Sequence, residues 1–167
     1  MRKVTRIMCV VGVAVLLGTA LSSFGQEDLS GTSMDLGDGI VVHHFNDGSS
    51  GTSTDLGGGI VTHHFDDGSS GTSIDLGGGI TTHNLEDSEG HDLSGTSVDL
   101  GGGIVTHQLG EWSGTSVDLG GGIVTHGLND SRGRNLSGTS IDLGGGIIHH
   151  GLTLDADDED DNQDADE

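Results

Sequence analysis

Apolar and polar residues alternate in one short pattern that recurs six times between Ser30 and His150. Its commonest form is Ser-Gly-Thr-Ser-x-Asp-Leu-Gly-Gly-Gly-Ile-Val-Thr-His. The copies begin at Ser30, Ser50, Ser70, Ser94, Ser113 and Ser137, and only the linkers between them vary in length. Counted from the repeat aspartate, Leu follows at +1, Ile at +5, His at +8 and Phe or Leu at +10 in every copy. Each copy thus holds two β-prone stretches, Thr-Ser-x-Asp-Leu and Ile-Val-Thr-His, split by glycines and bounded by linkers such as Asn46-Asp47-Gly48. Short runs of Val, Ile and Thr between Gly-rich breaks read as strand, tight turn, strand. No stretch of the repeat has helical periodicity, and glycine at this density opposes a helix by about 1 kcal/mol per residue.

A fixed-period repeat implies one small unit copied along an axis, each copy leaning on its neighbours. The expected class is therefore all-β, and the expected architecture a short-repeat β-solenoid of about six coils, with the Leu and Ile rows as internal ladders. Two alternatives stand beside it. One is an antiparallel hairpin meander in which each Gly-Gly-Gly closes a hairpin. The other is a largely disordered chain, since 33 glycines against three Phe and one Trp leave little apolar surface to offset ordering entropy.

If Leu and Ile face inward, Asp and His share the outer face. Residues +6 and +10 have the parity of His, however, and pull it inward. The invariance of Leu and Ile tips the expectation toward outward Asp and His.

Composition divides the chain further. Arg2, Lys3 and Arg6 precede an apolar run from Ile7 to Leu21, too short for the roughly 20 residues of a spanning helix, and Ser23 and Gly25 suit cleavage before Gln26. Residues 1–25 are expected to be a signal peptide, 26–152 the repeat domain and 153–167 a disordered acidic tail. The expected location is outside the cytoplasm, extracellular or periplasmic. The one cysteine, Cys9, lies within the leader, so disulfides and thiolate-ligated metals are excluded from the rest. Beyond the leader, Arg132 and Arg134 stand alone against 27 carboxylates. A chain so acidic lacks the cations that bind nucleic acid or an anionic membrane. Divalent cations, basic proteins and further copies of itself are the partners its charge and repeats admit.

Two rows carry candidate chemistry. Asp35, Asp55, Asp75, Asp99, Asp118 and Asp142 would repel one another at strand spacing, a situation that Ca²⁺ relieves. Their plainer role is a solvated acidic edge or a cap on the glycine turn that follows. His43, His63, His83, His107, His126 and His150 could hold Zn²⁺ between coils, with His44, His64, His149 and His91 as extras. The plainer role here is half-buried mutual stacking. A Ser, a His and an Asp in every copy do not make the single oriented trio beside a pocket that a hydrolase needs. Rows of threonine, Thr32, Thr52, Thr72, Thr96, Thr115 and Thr139, follow from β-propensity. The expected function is that of a secreted, non-catalytic repeat protein with a multivalent acidic surface, in a structural, adhesive or self-assembling role. The alternative is a divalent-metal module built on the Asp and His rows.

Overall fold

The computed structural model describes residues 27–155, which form strands joined by turns and short irregular linkers. The expected leader, residues 1–25, lies outside the described residues, as does the tail from residue 156 onward. Twelve strands follow in order: β1 Glu27–Gly37, β2 Ile40–Phe45, β3 Ser50–Gly57, β4 Ile60–Phe65, β5 Ser70–Gly77, β6 Ile80–Glu86, β7 Gly95–Gly101, β8 Ile104–Leu109, β9 Trp112–Gly120, β10 Ile123–Asn129, β11 Asn135–Gly144 and β12 Ile147–Asp155. Each pairs antiparallel with its sequence neighbours, and β12 returns to β1, closing a barrel. The last strand runs three residues beyond the expected end of the repeat domain, and its Leu154 is buried.

The all-β expectation holds, and the solenoid is corrected to a closed meander. Each copy is one hairpin, and its three turn residues, all glycine in five copies, take positive φ, as in Gly57 (82°), Gly58 (65°) and Gly59 (83°). Three left-handed residues in succession reverse the chain within the copy, whereas a coil would have carried it onward to stack on the next. Closure also leaves no strand edge free, which removes the usual route to edge-to-edge aggregation.

The middle glycine position tolerates a side chain. In the first copy it is Asp38, at φ 53°, and a Cβ built on Gly58, Gly78, Gly102, Gly121 or Gly145 meets nothing within 4 Å. Gly78→Asp is accordingly expected to cost about 1 kcal/mol or less in urea unfolding, because Asp visits the left-handed region more readily than most residues.

The interior is layered, because inward side chains of successive strands lie level with one another. From the linker end, the first layer is Leu29, Ser69, Leu93, Trp112, Leu136 and Leu154. Next come Phe45, Phe65, Leu85, Leu109, Leu128 and Leu152, each opposite an inward glycine, as Phe45 is opposite Gly31 and Leu109 opposite Gly95. The third layer is the six repeat histidines with six serines. The fourth, at the turn end, pairs the +6 residues (Val41, Val61 and Ile148 buried) with the repeat aspartates.

The expected facing is therefore reversed: His lies inside and Leu and Ile lie outside. The +6 and +10 residues decide it. Val, Ile, Phe and Leu, with Thr81 in the third copy, share the parity of His on the same strand and fill the lumen, so His goes with them. Leu36, Leu56, Leu76, Leu100, Leu119 and Leu143 are 60–64 % exposed, and Ile40, Ile60, Ile80, Ile104 and Ile123 are 37–40 % exposed.

The linkers gather at the opposite end from the glycine turns, and aspartate organises them. Asp130 Oδ1 accepts the backbone N–H groups of Arg132 and Arg134 at 2.9 Å, and its Oδ2 accepts Arg134 Nε–H at 2.6 Å. The Arg134 guanidinium in turn covers the buried Trp112 ring at 5.3 Å. Asp87 holds the other long linker the same way, through the N–H groups of Glu89 and His91. These local clamps let linkers of different length return the chain at one register.

Candidate functional site

The six histidines of the repeat do not face a cleft. They join with the serine two residues before each aspartate in a closed ring of hydrogen bonds around the barrel axis. Within the first hairpin, Ser33 pairs opposite His43, and Ser33 Oγ lies 2.7 Å from His43 Nδ1. His43 Nε2 then lies 2.8 Å from Ser53 Oγ in the next hairpin. The contact passes on through Ser53–His63–Ser73–His83 and Ser97–His107–Ser116–His126 to Ser140 and His150. His150 Nε2 returns to Ser33 Oγ at 2.9 Å. All twelve contacts fall between 2.7 and 3.1 Å.

Strand geometry explains why one imidazole spans two hairpins. The cross-strand neighbour of His43 in β3 is Gly51, so Ser53 is its diagonal neighbour. The tilt that closes a barrel produces this stagger, and the ring's two nitrogens bridge it: Nδ1 to the serine directly opposite, Nε2 to the diagonal one. Sequence separation within a hairpin is constant, as Ser33 to His43 and Ser140 to His150 illustrate. The separation between hairpins varies with the linker, and the register does not.

The ring is buried. Its histidines are 2–5 % exposed and its serines 0–4 %. Burial holds the imidazoles neutral: His43, His83, His107 and His150 are lowered to about 4, and His63 and His126 to about 3. Neighbouring imidazoles add to the effect of burial at all but His83, since a second positive charge beside the first is unfavourable. His43 also stacks between layers, with its centroid 5.8 Å from the Phe65 ring and 6.5 Å from Phe45.

The aspartate row sits one inward position nearer the turns. Each Oδ1 accepts the N–H of the glycine two residues on at 2.8 Å, as in Asp35 to Gly37, Asp55 to Gly57 and Asp75 to Gly77. Asp99, Asp118 and Asp142 repeat the contact. Each aspartate N–H also donates to the last glycine carbonyl of the preceding hairpin, and Asp35 closes the circle on Gly146. Of the two plainer expectations for this row, turn capping is what the carboxylates do.

The two rows therefore lie in adjacent layers, and each already has partners. Both nitrogens of every ring histidine are engaged with serine, and among the described residues no three His, Cys, Asp or Glu side chains converge as a metal site. Every buried side-chain nitrogen or oxygen among them has a hydrogen-bond partner. The extra histidines fall elsewhere: His44, His64 and His149 point outward, and His91 pairs with Asp87 at 2.8 Å in a linker, which raises its pKa.

Sequence reasoning missed the serines Ser33, Ser53, Ser73, Ser97, Ser116 and Ser140. The signal was available in the spacing. A hairpin folded about the three glycines places the serine before Asp opposite the histidine after Ile.

Comparison with protein families, with curated proteins and with solved structures finds no match to this chain. Function must be argued from the barrel itself.

Proposed function

We propose that this is a secreted, non-catalytic structural protein that works by multivalent association of whole barrels, side against side. The observation that carries this reading is the apolar belt around the turn end. There the six outward leucines stand over a second circle of Ile paired with Met34, Thr54, Ile74, Val98, Val117 and Ile141 of the neighbouring strand. Contiguous exposed apolar surface of this kind marks an interaction site. It repeats in all six sectors, so every side of the barrel offers the same face.

The occupant that fits best is a second copy of the chain. The belt spans two outward positions per strand, about 7 Å at strand rise, against the roughly 25 Å band of a membrane-spanning barrel. One lateral neighbour covers only an arc of it, less than a standard interface requires, so several neighbours are needed at once and an array is favoured over a dimer. Besides the repeat aspartates, which cap the turns, a second set of carboxylates lies at the other end, in linker residues such as Asp47, Asp66, Asp67, Glu86, Asp87, Glu89 and Glu111. They keep that end solvated and open to basic partners.

Like-charge repulsion opposes packing, so salt should promote it. Sedimentation velocity is expected to show higher-order species that grow with protein concentration and with NaCl. The double variant Leu76→Thr with Leu119→Thr, changed at outward positions, should raise the concentration needed for association at least tenfold while leaving the β-sheet circular dichroism intact. A wild-type protein that stays monomeric at high concentration and high salt would overturn the proposal.

A further inference from the structure

The serine–histidine ring has a property that no single pair in it possesses. A serine hydroxyl has one proton to donate, and a neutral imidazole has one N–H and one bare nitrogen. Six of each supply twelve protons for the twelve contacts. Every contact is satisfied only if all donors point the same way around the circle. In one sense, each hydroxyl donates to Nδ1 and each Nε2–H donates to the next serine. In the other, each Nδ1–H donates to serine and each hydroxyl donates to Nε2.

A neutral ring of mixed tautomers fails this test. Reversing direction once requires a group that donates on both sides, which neither a hydroxyl nor a neutral imidazole can do. Somewhere two bare acceptors would then face each other and somewhere two donors, both buried, which is the costly way to lose a hydrogen bond. A protonated imidazole can donate on both sides. The extra proton then makes thirteen donors for twelve contacts, and one serine must accept twice while its own hydroxyl proton loses its place. The second proton repeats the loss.

We propose that the ring is a single two-state element: six neutral imidazoles locked in one common tautomer, released together by acid, with opening of the barrel as the result. Burial favours the neutral state and holds the ring imidazoles below their ordinary range. The groups facing the ring are few. On the turn side lie Asp35, Asp55, Asp75, Asp99, Asp118 and Asp142, which favour proton uptake. On the linker side lie glycine, Phe and Leu, which carry no charge. Behind the strands His44 and His149 oppose uptake by His43 and His150. The proton count makes the release collective.

The test is long-range ¹H–¹⁵N correlation on the full chain with ¹⁵N-labelled histidine, taken from pH 7 down to pH 3. Six of the ten histidines should show the same tautomer at pH 7. Their signals should stay neutral on acidification and then vanish together, in step with the dispersed strand amides. Ser73→Ala cuts the ring, which lifts the requirement for one common direction, and should move the acid midpoint up by half a pH unit or more. His83→Gln keeps a donor and an acceptor in place and should preserve the common tautomer in the other five. Mixed tautomers in the neutral wild type would overturn the proposal, as would ring histidines that titrate one by one inside a folded barrel. Should Ser73→Ala fail to fold, the wild-type spectra decide alone.

Discussion

Gly95→Ala is expected to destabilise the barrel by about 3 kcal/mol or more, the upper end for overpacking a buried site. Gly95 faces inward opposite Leu109. A Cβ there would lie 1.8 Å from the Gln108 carbonyl oxygen and 2.8 Å from the Leu109 Cα. Both obstacles are backbone of the partner strand, so relief requires the two strands to separate where they are paired on both sides. Gly114 and Gly138 stand in the same relation, with carbonyl oxygens 2.1 Å from the added carbon. The matched control is Gly127, an outward strand glycine whose Cβ would meet nothing within 4 Å. Gly127→Ala should be neutral or stabilising by up to about 1 kcal/mol, through the entropy of the unfolded chain. Urea unfolding of the two variants beside the wild type reads the difference. Equal midpoints would mean that the inward glycines are not spaceholders for the layer above them.

Acid should unfold the protein over a narrow range, beginning below pH 6.5. The sign follows from the direction of the shifts. The ring histidines are lowered to about 4 or about 3 in the folded state, while the unfolded chain takes up protons near the ordinary value of about 6.5. Their contribution is therefore fully present above pH 6.5 and is lost as pH falls from there toward 4 and 3. Each histidine that is charged in the unfolded chain and neutral in the barrel costs about 1.4 kcal/mol per pH unit, so six approach roughly 8 kcal/mol per unit at the limit. A domain holds only about 5–15 kcal/mol in all. The barrel should consequently open before its imidazoles can protonate in place, with a midpoint above pH 4. Urea midpoints at pH 7, 6 and 5 measure the slope. A flat profile over that range would show that the imidazoles reach solvent without unfolding.

The strand, turn, strand unit was legible in the sequence, because its signals are local: β-branched runs, a glycine turn, a polar linker; that the turn closes a hairpin and not a solenoid coil was not. Facing was harder to read, since two sets of invariant residues compete for one interior. Leu and Ile are as constant among the copies as His, and constancy does not distinguish inside from outside. What decides is volume: Phe45 and Phe65 at +10 need the space over Gly31 and Gly51, and once they enter, His43 and His63 follow. The linker-end layer was hidden for the opposite reason. Leu29, Leu93, Trp112 and Leu136 occupy one repeat position that is serine in two other copies, Ser49 and Ser69, so no row announces it. Closure has no local signal at all, because it rests on β1 meeting β12 across the whole length of the domain.

That last pairing means the domain has no structurally privileged beginning. Glu27 lies opposite Leu154, and His150 reaches Ser33 as His43 reaches Ser53. A chain opened at any linker and rejoined between these ends would trace the same circle. What the fold specifies is a count of six and a direction of travel; the place where the polypeptide starts is incidental to both.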